Sequence, residues 1–293
     1  MLTATPSYVA PGSFGRSVTS AEFKLLQELI HRETGIFLSD AKKALLVGRL
    51  SGRLRDLGLA SFREYYEHVT EKDPQELVRM LDCITTNETR FFREPQQFEF
   101  LEEQVIPRLK AEAEAGRRPK RIRVWSAASS TGEEAYSLAM TLLAHFPKES
   151  GWTIEIFGSD LSTRVLDRAR SAVWLIERAR EIPETYLKRY MLKGTGSQEG
   201  TMKAGPDLRP LVRFDRINLT AENYPVSGKF DLIFCRNVLI YFNAETKAKV
   251  VNSLLKHMEP GGLLFLGHAE SMLGMADRLR RVGPTVYEEV VAQ

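Results

Sequence analysis

Apolar positions in the first part of the chain recur at helical spacing. Thr19 and Glu22 read as a capping box, and Phe23, Leu26 and Ile30 form a stripe that ends near Gly35. A second stripe, Leu46, Val47, Leu50, Leu54 and Leu57, predicts a helix over residues 40–57. Ser61 and Glu64 cap a third helix, SFREYYEHVT. Asp73, Pro74 and Glu76 open a fourth, with Leu77, Met80, Leu81 and Ile84 as its core face. Residues 85–95, TTNETRFFREP, are polar and aromatic and interrupt the helical pattern. Pro95 then begins a long helix that closes at Gly116.

From residue 121 the period changes. Ile122, Val124 and Trp125 read as a buried strand, a run of small residues follows over 126–131, and Gly132 closes a turn. Ala135, Leu138, Ala139, Leu142 and Leu143 then continue at helical spacing. Further strands are expected over 154–160, 212–219, 230–235, 263–267 and 286–291, and helices over 162–172 and 244–257. This alternation predicts an α/β domain with a mostly parallel sheet and helices on both faces. Residues 186–211 are rich in glycine and charge and too long for an ordinary crossover, so an inserted β-hairpin subdomain is expected there. The resulting plan is a loose tail (1–18), a small all-helical domain (19–92), a connecting helix (93–120) and the α/β domain (121–293).

Composition narrows the classes. A length of 293 residues suits two domains, and 43% hydrophobic with 27% charged residues is ordinary for a globular protein. The net charge of +3 is too weak to imply nucleic acid. No apolar run reaches membrane-spanning length and no signal-peptide pattern is present, so a cytoplasmic location is expected. Cys83 and Cys235 lie in apolar surroundings and read as reduced core residues. The five histidines are scattered without ligand spacing, so no metal is expected.

The chemistry concentrates in the loop after the first strand. A dinucleotide site needs several glycines there, so that backbone N–H groups reach a pyrophosphate. This loop has one glycine, followed by Glu133 and Glu134. Two carboxylates repel phosphate and suit a cationic ligand carrying adenosine and an ammonium, which describes S-adenosylmethionine. The plainer alternative is that both glutamates complement the helix dipole. Asp160, at the tip of the second strand, suits ribose hydroxyls; a helix N-cap is the alternative, although Ser162 can fill that role. In the second helix Lys42, Arg49 and Arg53 share one flank, while Lys43 and Arg55 point elsewhere. That flank reads either as a solvated helix face or as a docking surface for an acidic partner.

Taken in order, TTNETRFFRE, RVWSAASSTGEEAYSLAM, GSDLS, FDRINL, FDLIFCRNVLIYF and GGLLFLGHAESM resemble the CheR family of chemotaxis receptor methyltransferases. The resemblance runs from about residue 20 to 291, nearly the whole chain. It implies a class I S-adenosylmethionine-dependent methyltransferase fold, Rossmann-like and seven-stranded, with an inserted antiparallel β-subdomain and a helical N-terminal domain. It further implies methylation of glutamate side chains on cytoplasmic chemoreceptor helices, giving glutamyl methyl esters, by a monomer.

By resemblance, Asn87, Thr89 and Arg93 fold over the cofactor, Glu134 and Asp160 line its site, Asn218 and Leu219 face adenine, and Arg236 and Asn237 follow the fourth strand. Arg93 is the residue best suited to steer the substrate carboxylate. Tyr241 either lines the methyl-transfer pocket or is a core aromatic. The basic flank Lys42, Arg49 and Arg53 would then meet the receptor. Docking of a receptor-tail peptide on the β-subdomain stays open. Two positions depart from the family pattern: Glu88 stands where an apolar residue is commoner, and Ala135 where proline often follows the paired glutamates. Neither removes a contacting group. The rival functions are a methyltransferase of this fold acting on a small molecule, RNA or another protein, and a non-catalytic receptor-binding adaptor.

Overall fold

A computed structural model describes residues 17–270 and 278–290. The chain divides into two compact units, residues 1–29 with 38–84, and residues 30–37 with 85–293. Most of the expected tail lies outside the described residues, as does Val291 at the end of the expected last strand.

The first unit is helical. Helix α1 (Ser20–Thr34) starts on the capping box read from the sequence: the Thr19 N–H and hydroxyl donate to Glu22 at 2.8 and 2.7 Å, and the Glu22 N–H donates to Thr19 Oγ1 at 3.2 Å. Helices α2 (Lys43–Asp56), α3 (Phe62–Glu67) and α4 (Pro74–Ile84) follow. Ser61 caps α3 by accepting the Glu64 N–H at 3.1 Å. Leu46, Leu50, Leu54, Phe62, Tyr65, Met80, Leu81 and Ile84 are buried, which accounts for the apolar stripes.

In the second unit α5 (Pro95–Phe100) and α6 (Ile106–Glu114) are joined by one wide π-turn over Leu101–Val105. Pro107, with no N–H to donate, accounts for the widening. The α/β core then runs β1 (Arg121–Ala127), α7 (Glu133–His145), β2 (Thr153–Asp160), α8 (Thr163–Ser171), β3 (Val173–Leu175), α9 (Glu184–Tyr190), β4 (Met191–Lys193), β5 (Thr201–Ala204), β6 (Val212–Arg216), β7 (Phe230–Cys235), α10 (Ala244–Lys256), β8 (Met258–Leu266), β9 (Leu279–Gly283) and β10 (Val286–Glu289).

Seven strands form the main sheet in the order β6-β2-β1-β7-β8-β10-β9. The pairs from β6 to β8 are parallel, and β10 lies antiparallel between β8 and β9. Both faces are covered, so side chains alternate between two apolar layers. Val124, Leu232, Phe234, Leu263 and Phe265 pack with α7 and α8, whereas Trp125, Ile233, Cys235, Leu264 and Leu266 pack with α10. The strand order turns back on itself between β1 and β7. The crevice at the carboxyl ends of these strands is where a ligand settles in such a sheet.

Several boundaries differ from expectation. The third main-sheet strand ends at Arg216, and Ile217 and Leu219 are buried in irregular chain instead. Strand β8 starts at Met258, ahead of the Pro-Gly-Gly run, with an irregular register against β7 that admits the glycines. The arginine-rich edge strand β9 gave no apolar alternation to read. The small second sheet has the order β3-β5-β4, so its first strand lies upstream of 186–211, and α9 occupies the start of that stretch.

Candidate active site

The loop leaving β1 has left-handed backbone at Ala128, Ser130 and Gly132. Small residues keep that conformation affordable. At Gly132 (φ +94°) a Cβ would also stand 3.0 Å from the Ala169 Cβ of α8. The loop is tied to the tip of β2. The Ser129 N–H donates to the Ser159 carbonyl at 2.8 Å. Asp160 accepts the Ser130 N–H on Oδ2 at 2.9 Å and the Ser162 N–H on Oδ1 at 3.0 Å. Asp160 therefore does stand at the strand tip, and it also holds the two loops that frame the crevice.

The neighbouring glutamates part company at the first turn of α7. Glu134 accepts from Ser126 Oγ at 2.7 Å and from Arg236 Nε at 2.6 Å. Glu133 turns the other way, accepting from Thr131 Oγ1 at 2.6 Å, with Arg178 Nη2 at 3.9 Å. Burial raises the Glu133 carboxyl above its ordinary range. Both carboxylates are buried, and Glu134 forms an ion pair with Arg236. The pair is well bonded, since Arg236 Nη1 also donates to the Arg93 carbonyl at 2.7 Å and to Gln97 Oε1 at 3.0 Å.

The TTNETRFFRE segment lies against this loop as a strap. Ser130 Oγ donates to the Asn87 carbonyl at 2.9 Å, the Phe92 N–H donates to Ser137 Oγ at 3.0 Å, and Asn87 Nδ2 donates to Thr85 Oγ1 at 3.1 Å. Phe92 and Glu94 adopt left-handed backbone. Phe92 stacks on Tyr186, with ring centroids 5.5 Å apart. Arg93 Nη1 donates to the Glu88 carbonyl at 3.1 Å. Glu94 is buried and bridges onward, accepting from Asn237 Nδ2 at 3.3 Å and from the His268 N–H at 3.1 Å. The strap is thereby tied at the Asn87 carbonyl to the loop that Asp160 holds, at the Arg93 carbonyl to Arg236, which pairs with Glu134, and at Glu94 to Asn237.

The remaining expected residues sit on the far side of the sheet ends. Asn218 Nδ2 donates to the Glu33 carbonyl at 2.6 Å, and its Oδ1 accepts the Thr220 N–H at 3.0 Å and hydroxyl at 2.8 Å. That side-chain amide serves the chain's own folding, a use not anticipated for it. Leu219 is buried, and its carbonyl accepts from Tyr224 Oη at 2.6 Å. Tyr241 ends a short turn, Leu239–Tyr241, and is partly buried against the apolar layer around Trp125. Its carbonyl accepts the Phe37 N–H at 3.0 Å.

The basic flank belongs to the helical unit. Arg53 forks onto Glu76 through Nε (2.8 Å) and Nη2 (2.7 Å), and Glu76 is fully buried, with the Tyr65 hydroxyl donating to it at 3.0 Å. Arg49 donates to the Ile84 carbonyl. Both tie α2 to α4, whereas Lys42 stands exposed ahead of α2.

Three residues of the site were not anticipated. Gln97 is fully buried and donates to the Leu266 carbonyl (2.7 Å) and to Thr285 Oγ1 (2.6 Å). Glu270 accepts the N–H groups of Val238 (2.9 Å), Leu239 (2.7 Å) and Gly267 (2.6 Å), and so fixes the turn that carries Tyr241. Glu94 is the third. Glutamine and glutamate look like surface residues in a sequence; Glu94 and Glu270 at least fall inside the quoted motifs, whereas Gln97, in the helix that Pro95 opens, gave no signal.

Two buried polar atoms at the crevice make no hydrogen bond, Ser129 Oγ and Glu94 Oε2, the latter standing 3.5 Å from Arg236 Nη1. With Asp160, Asn87 and Asn237 they offer acceptors and amides to hydroxyl and ammonium groups, and no glycine-rich phosphate cradle competes. That donor set fits S-adenosylmethionine. Among the described residues no group of three or more His, Cys, Asp or Glu is placed to hold a metal, and no helix is long and apolar enough to cross a membrane.

The family described as "CheR methyltransferase, SAM binding domain" matches residues 87–287, and "CheR methyltransferase, all-alpha domain" matches residues 21–85. Chemotaxis protein methyltransferase 2 of Pseudomonas aeruginosa PAO1 is 39% identical over 287 residues, 98% of this chain and 99% of its own. The chemotaxis protein methyltransferase of Escherichia coli K12 is 38% identical over 273 residues, 92% of this chain and 91% of its own. That of Borreliella burgdorferi is 34% identical over 275 residues, 93% and 95% of the two chains. With the helical unit, the seven-stranded sheet and the acid-lined crevice all in place, this chain belongs to the CheR family of S-adenosylmethionine-dependent methyltransferases.

Proposed function

We propose that the protein methylates glutamate side-chain carboxylates on the cytoplasmic helical regions of chemoreceptors, forming glutamyl methyl esters, and that it works in the cytoplasm. The observation that carries this reading is the lacing of the strap to the end of β7. The Arg93 carbonyl meets Arg236 at 2.7 Å, and Glu94 meets Asn237 at 3.3 Å. These bonds hold the Arg93 backbone at the strand end from which the Tyr241 turn departs, and the guanidinium donates to the Glu88 carbonyl at 3.1 Å.

A substrate glutamate has a reference pKa of about 4.3 and is already an anionic nucleophile at neutral pH, so no general base is required. Bound S-adenosylmethionine supplies the activated methyl group. Asp160, Asn87 and Asn237 bind it, and the strap excludes water. Arg93 forks onto the incoming carboxylate, and Tyr241 lines the path. Alignment of this kind can lower a barrier by roughly 7–11 kcal/mol.

The test is transfer of labelled methyl from S-adenosylmethionine to receptor fragments, followed by mild base. Release of labelled methanol, abolished when the acceptor glutamates are replaced by alanine, is expected. A base-stable label, or transfer that ignores those glutamates, would refute the assignment. Arg93→Ala should lower turnover at saturating cofactor, and normal turnover would remove the steering role.

A further inference from the structure

The strap is irregular chain with no ladder partner, so its peptide groups must be met by side chains. Two of them are met from the inserted subdomain. A 3₁₀ turn, Ile176–Glu181, follows β3 directly and carries Arg178 and Glu181, paired at 2.8 Å. Arg178 Nη1 donates to the Thr89 carbonyl at 3.1 Å, and the Phe91 N–H donates to Glu181 Oε2 at 3.0 Å. Arg178 also reaches toward Glu133 on α7, at 3.9 Å, and Glu88 is a further acid in its field. Aromatic contacts run the same way: Phe91 meets Trp174 of β3 edge-on at 5.0 Å, and Phe92 stacks on Tyr186 of α9.

One ion pair therefore takes a carbonyl and an N–H two residues apart, on either side of Arg90. Thr89 and Arg93 cannot lift from the crevice while these bonds hold. We propose that Arg178 and Glu181 are positioning residues that clamp the strap over S-adenosylmethionine, so that the inserted subdomain sets how tightly the cofactor is held. The proposal rests on the reading that Asn87, Thr89 and Arg93 face the cofactor. Neither Arg178 nor Glu181 need touch the reacting atoms.

The test uses the full chain and four variants, Arg178→Met, Arg178→Lys, Glu181→Gln and Arg93→Ala. S-adenosylhomocysteine affinity is read by calorimetry, cofactor KM and kcat by methyl transfer, and strap opening by trypsin cleavage after the exposed Arg90. Arg178→Met should weaken S-adenosylhomocysteine and raise the cofactor KM by about tenfold, the scale of one charge-assisted hydrogen bond. The kcat at saturating cofactor should change far less. Cleavage after Arg90 should quicken and be slowed again by S-adenosylhomocysteine, at an unchanged Tm. Glu181→Gln should act in the same direction, and Arg178→Lys should recover most of the affinity.

Unchanged affinity and cleavage in Arg178→Met would overturn the proposal. So would a loss that tracks a fall in Tm and is not recovered by lysine. If Arg93→Ala also leaves cofactor affinity intact, the strap does not face the cofactor and the underlying reading fails. If Arg93→Ala weakens binding while Arg178→Met does not, the clamp alone fails.

Discussion

Glu133 and Glu134 are adjacent acids whose surroundings give them opposite fates. Glu134 points into the crevice and is held by Arg236 and Ser126. Glu133 points toward α7's flank, where burial outweighs the Thr131 hydrogen bond and raises its carboxyl from the ordinary 4.5. A carboxyl raised in the folded state binds more protons there than in the unfolded chain. Its contribution to stability is complete below about 4.5 and is lost as pH climbs through the raised value. Glu133→Gln does not titrate, so it should gain stability relative to the wild type between pH 5 and pH 7.5. Urea unfolding of both proteins at the two values measures this, and an equal difference at both would show an unshifted carboxyl. The sequence made both acids visible, but the direction in which each points depends on the helix's rotation against β1 and β7.

At the scale of elements, local signals were read well and cross-helix ones poorly. The Thr19–Glu22 box and the Ser61 cap involve residues three apart, and the structure makes both. The flank Lys42, Arg49 and Arg53 was legible as one face of the second helix, yet Lys42 falls in the turn before α2 and Glu76 reaches Arg53 from 23 residues downstream. Arg53 is the bidentate partner of a fully buried carboxylate that Arg79 Nη1, at 3.2 Å, compensates only in part, and breaking such a pair costs up to about 3–5 kcal/mol. Arg53→Glu places a second carboxylate against a fully buried one and should cost at least as much, whereas Lys42→Glu at an exposed position should cost about 0–1 kcal/mol. Thermal unfolding followed by circular dichroism separates the two, and a wild-type melt for Arg53→Glu would show that the fork is not structural. Lys42 is consequently the cleaner probe of an acidic docking partner, since a defect in Arg53→Glu would mix docking with folding.

At the scale of the whole molecule, Gln97 joins the strap's exit to one end of the β8–β10 pair, where Leu266 and Thr285 face each other, and to Arg236. Replacing it with leucine leaves the Leu266 carbonyl and the Arg236 guanidinium each short of a partner. Thr285 Oγ1 still donates to that carbonyl at 2.8 Å and Arg236 keeps Glu134, so each group loses one bond, worth about 0.5–1.5 kcal/mol at the carbonyl and about 1.5–3 kcal/mol at the guanidinium. Gln97→Leu should therefore lower unfolding stability by about 2 kcal/mol or more, with weaker S-adenosylhomocysteine binding, measured by urea titration with and without the ligand. Unaltered stability would mean that water replaces the amide at no cost.

The chain's periodicities were enough to specify two kinds of unit, helical stripes first and alternating strands and helices after residue 121, because amphipathic spacing is a local property of sequence. The single-glycine loop, Asp160 at a strand tip and the strap motif were likewise legible, since backbone conformation and charge restrict those positions within a few residues. Distant pairings were not: Arg236 with Glu134, Arg53 with Glu76, and Arg178 with the Thr89 carbonyl. Strand β3, only three residues long, also escaped, because it acquires its identity by pairing with a distant strand, Val173 with Lys203 and Leu175 with Thr201 of β5. These features arise from the order in which strands assemble and from which buried polar groups then lack water. Each such group must find a partner among whatever side chains the fold brings near, and spacing along the chain carries no record of that choice.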